Sequence, residues 1–109
     1  MKRFFNAVRE MLSGKPLAVR SPQWKTTRKN FLKANRTCAA CGGNVALEVH
    51  HIKPFHLFKE LELDPTNLIT LCENPTAKCH LTIGHNGNWK RENIRVIEDA
   101  KASLEKILK

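Results

Sequence analysis

At 109 residues the chain is sized for one small domain with a marginal core; it shows no signal-peptide pattern and no apolar run near the roughly 18 residues of a membrane span, which argues for a cytoplasmic protein. Its four cysteines are therefore expected as thiols rather than disulfides. The formal net charge of +9 is uneven, with ten Lys or Arg against the single Glu10 in residues 1–36 and nine bases against nine acids in the remaining 73, so a neutral core with a basic arm points to nucleic acid rather than to a small cationic substrate.

Phe4, Phe5, Val8, Met11 and Leu12 recur at helical spacing over residues 2–13, and Gly14 with Pro16 ends the run. This predicts an amphipathic helix within a basic arm over residues 1–20, packed on the rest of the domain. Ser21-Pro22 is a helix start, with the serine as cap and the proline where its missing N–H costs nothing. That helix should run to about Asn35, with Trp24, Phe31 and Leu32 on the packed side. Lys25, Lys29, Lys33 and Arg36 then face outward at a spacing suited to a phosphate backbone. After Cys38-x-x-Cys41 and the Gly42-Gly43-Asn44 turn, Val45 to Ile52 reads as a strand with Val45, Leu47 and Val49 on one face, stopped by Pro54. Residues 53–66 form a long connection containing a helical turn, and Asn67 to Leu71 a second strand able to pair with the first. Lys78 to Ile83 reads as a short helix ended by Gly84. A last helix from Glu98 to Leu108 turns Ala100, Leu104, Ile107 and Leu108 inward, with acids first and lysines last to suit the helix dipole.

The residues that carry chemistry fall in one order: Cys38 and Cys41, His50 and His51, Asn67, Cys72, Cys79 and His80, then His85. Cys38 and Cys41 form a knuckle of standard zinc spacing. Cys72 and Cys79 form a wider one that Asn74-Pro75 can turn back, so that four thiolates meet one structural Zn²⁺. The histidines are left for a second site. A neutral imidazole near its ordinary pKa of about 6.5 is a suitable general base, and other imidazoles hold a divalent metal through ring nitrogen. Neighbours on a strand point to opposite faces, so His50 and His51 cannot share one ion: one should hold the metal while the other activates water. On a continuous α-helix His85 would stand about 140° round from His80, but if Gly84 ends the helix His85 can still swing back to the metal. His56 is read as a surface or packing residue, and Trp24 and Trp89 as core.

Cys38-x-x-Cys41, Glu48-Val49-His50-His51-Ile52-Lys53-Pro54, Asn67-Leu68-Ile69-Thr70-Leu71-Cys72 and Cys79-His80 together resemble the HNH endonuclease family over roughly residues 36–85. The resemblance implies an α+β fold, a small zinc-stabilised ββα-metal (His-Me finger) core flanked by N- and C-terminal helices, with the nuclease domain over residues 21–109. It implies a metal-dependent DNA endonuclease in which His51 is the general base, His50 takes the first metal-ligand position, Asn67 orients the base or braces the loop, and His80 is a helix ligand or phosphate contact. The family's second helix histidine sits nearer four residues on, where this chain has Gly84, and His85 is assigned in its place. Mg²⁺, Mn²⁺, Ni²⁺ or Zn²⁺ would serve at the histidines, and hydrolysis would leave 5′-phosphate and 3′-hydroxyl ends. Arg20, Lys25, Arg28, Lys29, Lys33 and Arg36 are expected to grip phosphates with little sequence preference. The family's occurrence in phages and mobile elements, at times beside packaging genes, suggests a place in a larger DNA-processing assembly. The competing expectation keeps the zinc and the basic arm but makes the histidines ordinary strand residues of a non-catalytic nucleic-acid-binding module.

Overall fold

The computed structural model describes residues 19–109. The helix expected over residues 2–13 and most of the arm lie outside the described residues. Helix α1 spans Trp24–Ala34. The helix starts later than a Ser21 cap predicts: Gln23 stands at its N-cap with no side-chain cap, and Ser21 closes the turn ahead of it, its Oγ accepting from Gln23 N–H at 3.1 Å and its carbonyl from Trp24 N–H at 3.0 Å. Trp24, Phe31 and Leu32 are half-buried, while Lys25, Lys29, Lys33 and Arg36 are exposed.

Strands β1 (Leu47–His51) and β2 (Leu68–Cys72) pair antiparallel, with His50 opposite Ile69 and His51 opposite Leu68. The first strand is shorter than its apolar run predicts. Ala46 takes a φ of 55° and Val45 is 64% exposed, so the chain turns into the sheet only at Leu47. β2 is buried along its whole length, and Leu71 and Cys72 sit among Ala40, Ile52, Ile69, Val96 and Ala100.

The connection between the strands winds through two 3₁₀ turns, Lys59–Leu61 and Pro65–Asn67. Asn67 ties its two ends: Oδ1 accepts from Lys53 N–H at 2.8 Å, and Nδ2 donates to Lys53 O at 3.1 Å and Leu61 O at 3.4 Å. The short helix expected over Lys78–Ile83 is a π-helical turn that spans His80–Gly84. Helix α2 spans Val96–Leu108 and buries Val96 and Ala100. Ser103 Oγ still donates to Ala40 O at 2.9 Å, but Ile107 and Leu108 are 57% and 76% exposed, which corrects the inward face predicted for them. The helix simply outruns the core after Leu104. No described helix is long and apolar enough to cross a membrane.

Candidate active site

The four cysteine sulfurs lie within 4.8 Å of one another, with Cys41 and Cys72 at 3.7 Å. A tetrahedron of Zn–S bonds near 2.3 Å has edges of about 3.8 Å, so the donor set fits a zinc ion. The wide knuckle closes through Asn74, whose Oδ1 accepts from Thr76 N–H and Thr76 Oγ1–H at 3.0 Å and from Ala77 N–H at 2.6 Å. Lys78 then takes a left-handed φ of 46° to bring Cys79 round. Burial opposes ionisation of Cys72, yet the N–H groups of Cys79 and Asn74 bring it down to about 7. Burial, followed by the neighbouring Cys38, pushes Cys79 up, and burial raises Cys41 as well. Four thiolates can coexist in this space only around a cation.

His50, His80 and His85 offer ring nitrogens that also lie within 4.8 Å of one another. β1 supplies the first and the π turn, with the residue that follows it, supplies the others. The wide offset expected between His80 and His85 belongs to α-helical winding. An i→i+5 turn winds more slowly, so five residues close about one turn and the two rings meet at 5.0 Å between centroids. Gly84 permits the closure: a Cβ there would stand 3.0 Å from Leu71 Cδ1, 3.3 Å from His80 Cδ2 and 3.4 Å from His50 Cε1.

Carbonyl and carboxylate oxygens only accept, and this sets the tautomers. His80 Nδ1–H donates to Glu73 Oε1 and His85 Nδ1–H to Arg91 O, both at 2.8 Å, which leaves the lone pair of each ring on Nε2. His80 Nε2 accepts from His50 Nδ1–H at 3.0 Å. His50 Nε2 is consequently buried with no hydrogen-bond partner among the described residues. Burial, reinforced by His80 and His85, pushes the His50 pKa down to about 3; burial also lowers His80, against the opposing pull of Glu73. Neutral imidazole is the form that ligates a metal, and three ring nitrogens gathered this closely suit a divalent cation, which would take the place of the His50 Nδ1 proton between His50 and His80.

His51 faces the other way. Its ring lies on Trp24 at 4.6 Å, and its Nε2–H donates to Glu62 O at 3.0 Å, which puts the lone pair on Nδ1. The buried Glu62 carboxylate accepts from Ser21 N–H at 3.0 Å and stands 3.6 Å from Arg20, whose guanidinium packs over the rings of Trp24 and Phe55 at 5.0 and 4.6 Å. The start of α1 and the inter-strand connection therefore clamp His51 together.

Lys25, Lys29, Lys33 and Arg36 line one shallow surface depression with Arg28 and Leu32. Arg28 is shared with Glu48 at 3.1 Å, and Arg20 sits in the aromatic box rather than on this row. His56 is exposed, 3.7 Å from Glu92. Neither tryptophan is a plain core residue: Trp24 backs His51, and Trp89, 55% exposed, has its rings 5.1 and 5.0 Å from those of His80 and His85. Glu62, Glu73 and Trp89 are the site neighbours that reading the sequence missed. Of these, only Glu73 left a signal, since Glu73 and His80 each follow a zinc-knuckle cysteine by one residue.

Residues 38–86 match the family model described as HNH endonuclease. Comparison with curated proteins and with solved structures returned no match.

Proposed function

Because residues 38–86 match the HNH endonuclease family model, we propose that the protein is a metal-dependent DNA endonuclease that hydrolyses phosphodiester bonds with little sequence preference. The observation that carries this reading is the division of labour between adjacent histidines, His50 within a three-imidazole cluster and His51 oriented through its own Nε2–H.

His51 Nδ1 accepts the proton of the attacking water, and the hydrogen bond from Nε2–H to Glu62 O stabilises the imidazolium that forms. A divalent ion at His50, His80 and His85, whether Mg²⁺, Mn²⁺, Ni²⁺ or Zn²⁺, would stabilise the charge that builds on the phosphate and on the leaving 3′ oxygen. The products carry 5′-phosphate and 3′-hydroxyl ends. Cys38, Cys41, Cys72 and Cys79 would hold a structural Zn²⁺ that ties the two knuckles together. The row from Lys25 through Arg36 starts beside the Trp24 that backs His51, so its cations grip phosphates on the side of the base, without reading bases. The nuclease unit extends over residues 21–109, since Ser21 is bonded to the connection and Ser103 to the first knuckle segment, with residues 1–20 as a basic arm.

The test is conversion of supercoiled plasmid at low salt by wild type and by His51→Ala, in EDTA and with each metal added. Metal-dependent nicking is expected, falling about 10²- to 10⁴-fold in a folded, zinc-loaded His51→Ala. Salt-sensitive DNA binding with no nicking under any metal would replace this reading with a non-catalytic nucleic-acid-binding module.

A further inference from the structure

Cys72-Glu73 and Cys79-His80 are two dipeptides whose first members share the cysteine cluster. The turn that gathers Cys72 and Cys79 also brings Glu73 to His80, Oε1 to Nδ1 at 2.8 Å. We propose that Glu73 is a positioning residue of the histidine metal site, which locks His80 in the tautomer and ring orientation that present Nε2 to a divalent cation. The inference rests on reading His50, His80 and His85 as a metal site.

Only an imidazole nitrogen without a proton can bind a metal, so each ligating ring needs its proton held on the far side. His85 secures this with a backbone carbonyl, Arg91 O, which no side-chain change removes. His80 depends on a side chain. Its Nε2 accepts from His50 Nδ1–H at 3.0 Å, a contact that needs His80 Nε2 bare, and a cation takes that lone pair as it displaces the His50 proton. Without an acceptor at Nδ1 the His80 proton can move to Nε2, where it would meet the proton on His50 and block the ligand position. The Glu73 carboxylate also adds negative charge behind the ring, which makes Nε2 a better donor to a cation. Glu73 can do this without being part of the core, because its side chain is 43% exposed. It forms one wall of an open cleft of about 270 Å³ shared with Lys78, Leu81 and Trp89. Shortening it should therefore leave the zinc knuckle and the buried strand in place.

The experiment uses protein with zinc in the cysteine site and no metal at the histidines, as wild type, Glu73→Ala and Glu73→Gln. Long-range ¹H–¹⁵N NMR reads the His80 tautomer before any metal is added, and calorimetric titration with Ni²⁺ reads the affinity; zinc content and thermal midpoint check the fold. Wild type should show His80 protonated at Nδ1. Glu73→Ala should populate the Nε2–H tautomer and bind Ni²⁺ about 10- to 100-fold more weakly. Glu73→Gln, which keeps an acceptor oxygen but not the charge, should retain the tautomer and lose several-fold in affinity. A Glu73→Ala protein with wild-type tautomer and Ni²⁺ affinity overturns the inference alone. Should that variant shed its zinc, the near-isosteric Glu73→Gln decides, and unchanged affinity there overturns it. A wild type that takes up no Ni²⁺ at the histidines overturns the metal-site reading and this inference with it.

Discussion

At position 84 the useful property is a missing side chain. Leu71 is fully buried and cannot retreat from a Cβ placed 3.0 Å away, whereas His80 and His50, at 3.3 and 3.4 Å, are the neighbours able to give. Gly84→Ala should thus cost about 1–3 kcal/mol as overpacking and open the histidine cluster. A lower thermal midpoint together with weaker Ni²⁺ binding by calorimetry would bear this out; wild-type values for both would remove Gly84 from the account. The opposite orientations of His50 and His51 were legible in the sequence, because a period of two is intrinsic to a strand. Their neighbours were not. Trp24 lies 27 positions before His51, and Glu62 offers it only a backbone carbonyl, an atom that every residue carries.

At the scale of elements, α1 was the easiest to read and the π turn the hardest. Ser21-Pro22 is a local start signal, and basic residues recurring at four-residue spacing fall on one helical face whatever the tertiary context. The widening of the turn at His80–Gly84 has no such local mark. It arises where a knuckle closed by Asn74 delivers Cys79 to the cluster and a glycine lets the next turn approach β1 and β2. The α1 row carries a prediction that depends on its exposure alone. If Lys25, Lys29 and Lys33 each neutralise a phosphate, replacing all three with Gln should weaken DNA binding uniformly across sequences. It should also flatten the slope of log affinity against log salt by about 3. Fluorescence anisotropy with two unrelated duplexes over a range of salt measures both effects, and a slope equal to wild type would show that the row does not touch the backbone.

Among the described residues, little besides the cysteine cluster ties the elements together. A two-stranded ribbon is not independently stable, and beyond β2 the core consists of short segments around Ala40, Ile52, Val96 and Ala100. The cysteine order points to a metal here, since knuckles on either side of the ribbon must be bridged for either strand to stay put. What the order could not foretell is that both candidate metal sites share one scaffold: His80 follows Cys79 directly, and His50 on β1 lies opposite Ile69 of the strand that ends in Cys72. Binding of a structural Zn²⁺ is worth about 10–16 kcal/mol, as much as the whole 5–15 kcal/mol by which a domain is stable. Stripping zinc with a strong chelator, or Cys72→Ser, should therefore abolish cooperative melting and Ni²⁺ binding at the histidines in one event. Removing only the more weakly held ion at the histidines should leave the fold unchanged. Zinc release followed with a metallochromic dye, in parallel with the near-ultraviolet circular dichroism of Trp24 and Trp89, separates the two cases. Zinc-free protein that still melts cooperatively and still binds Ni²⁺ would mean that the apolar core, not the metal, carries the histidine site.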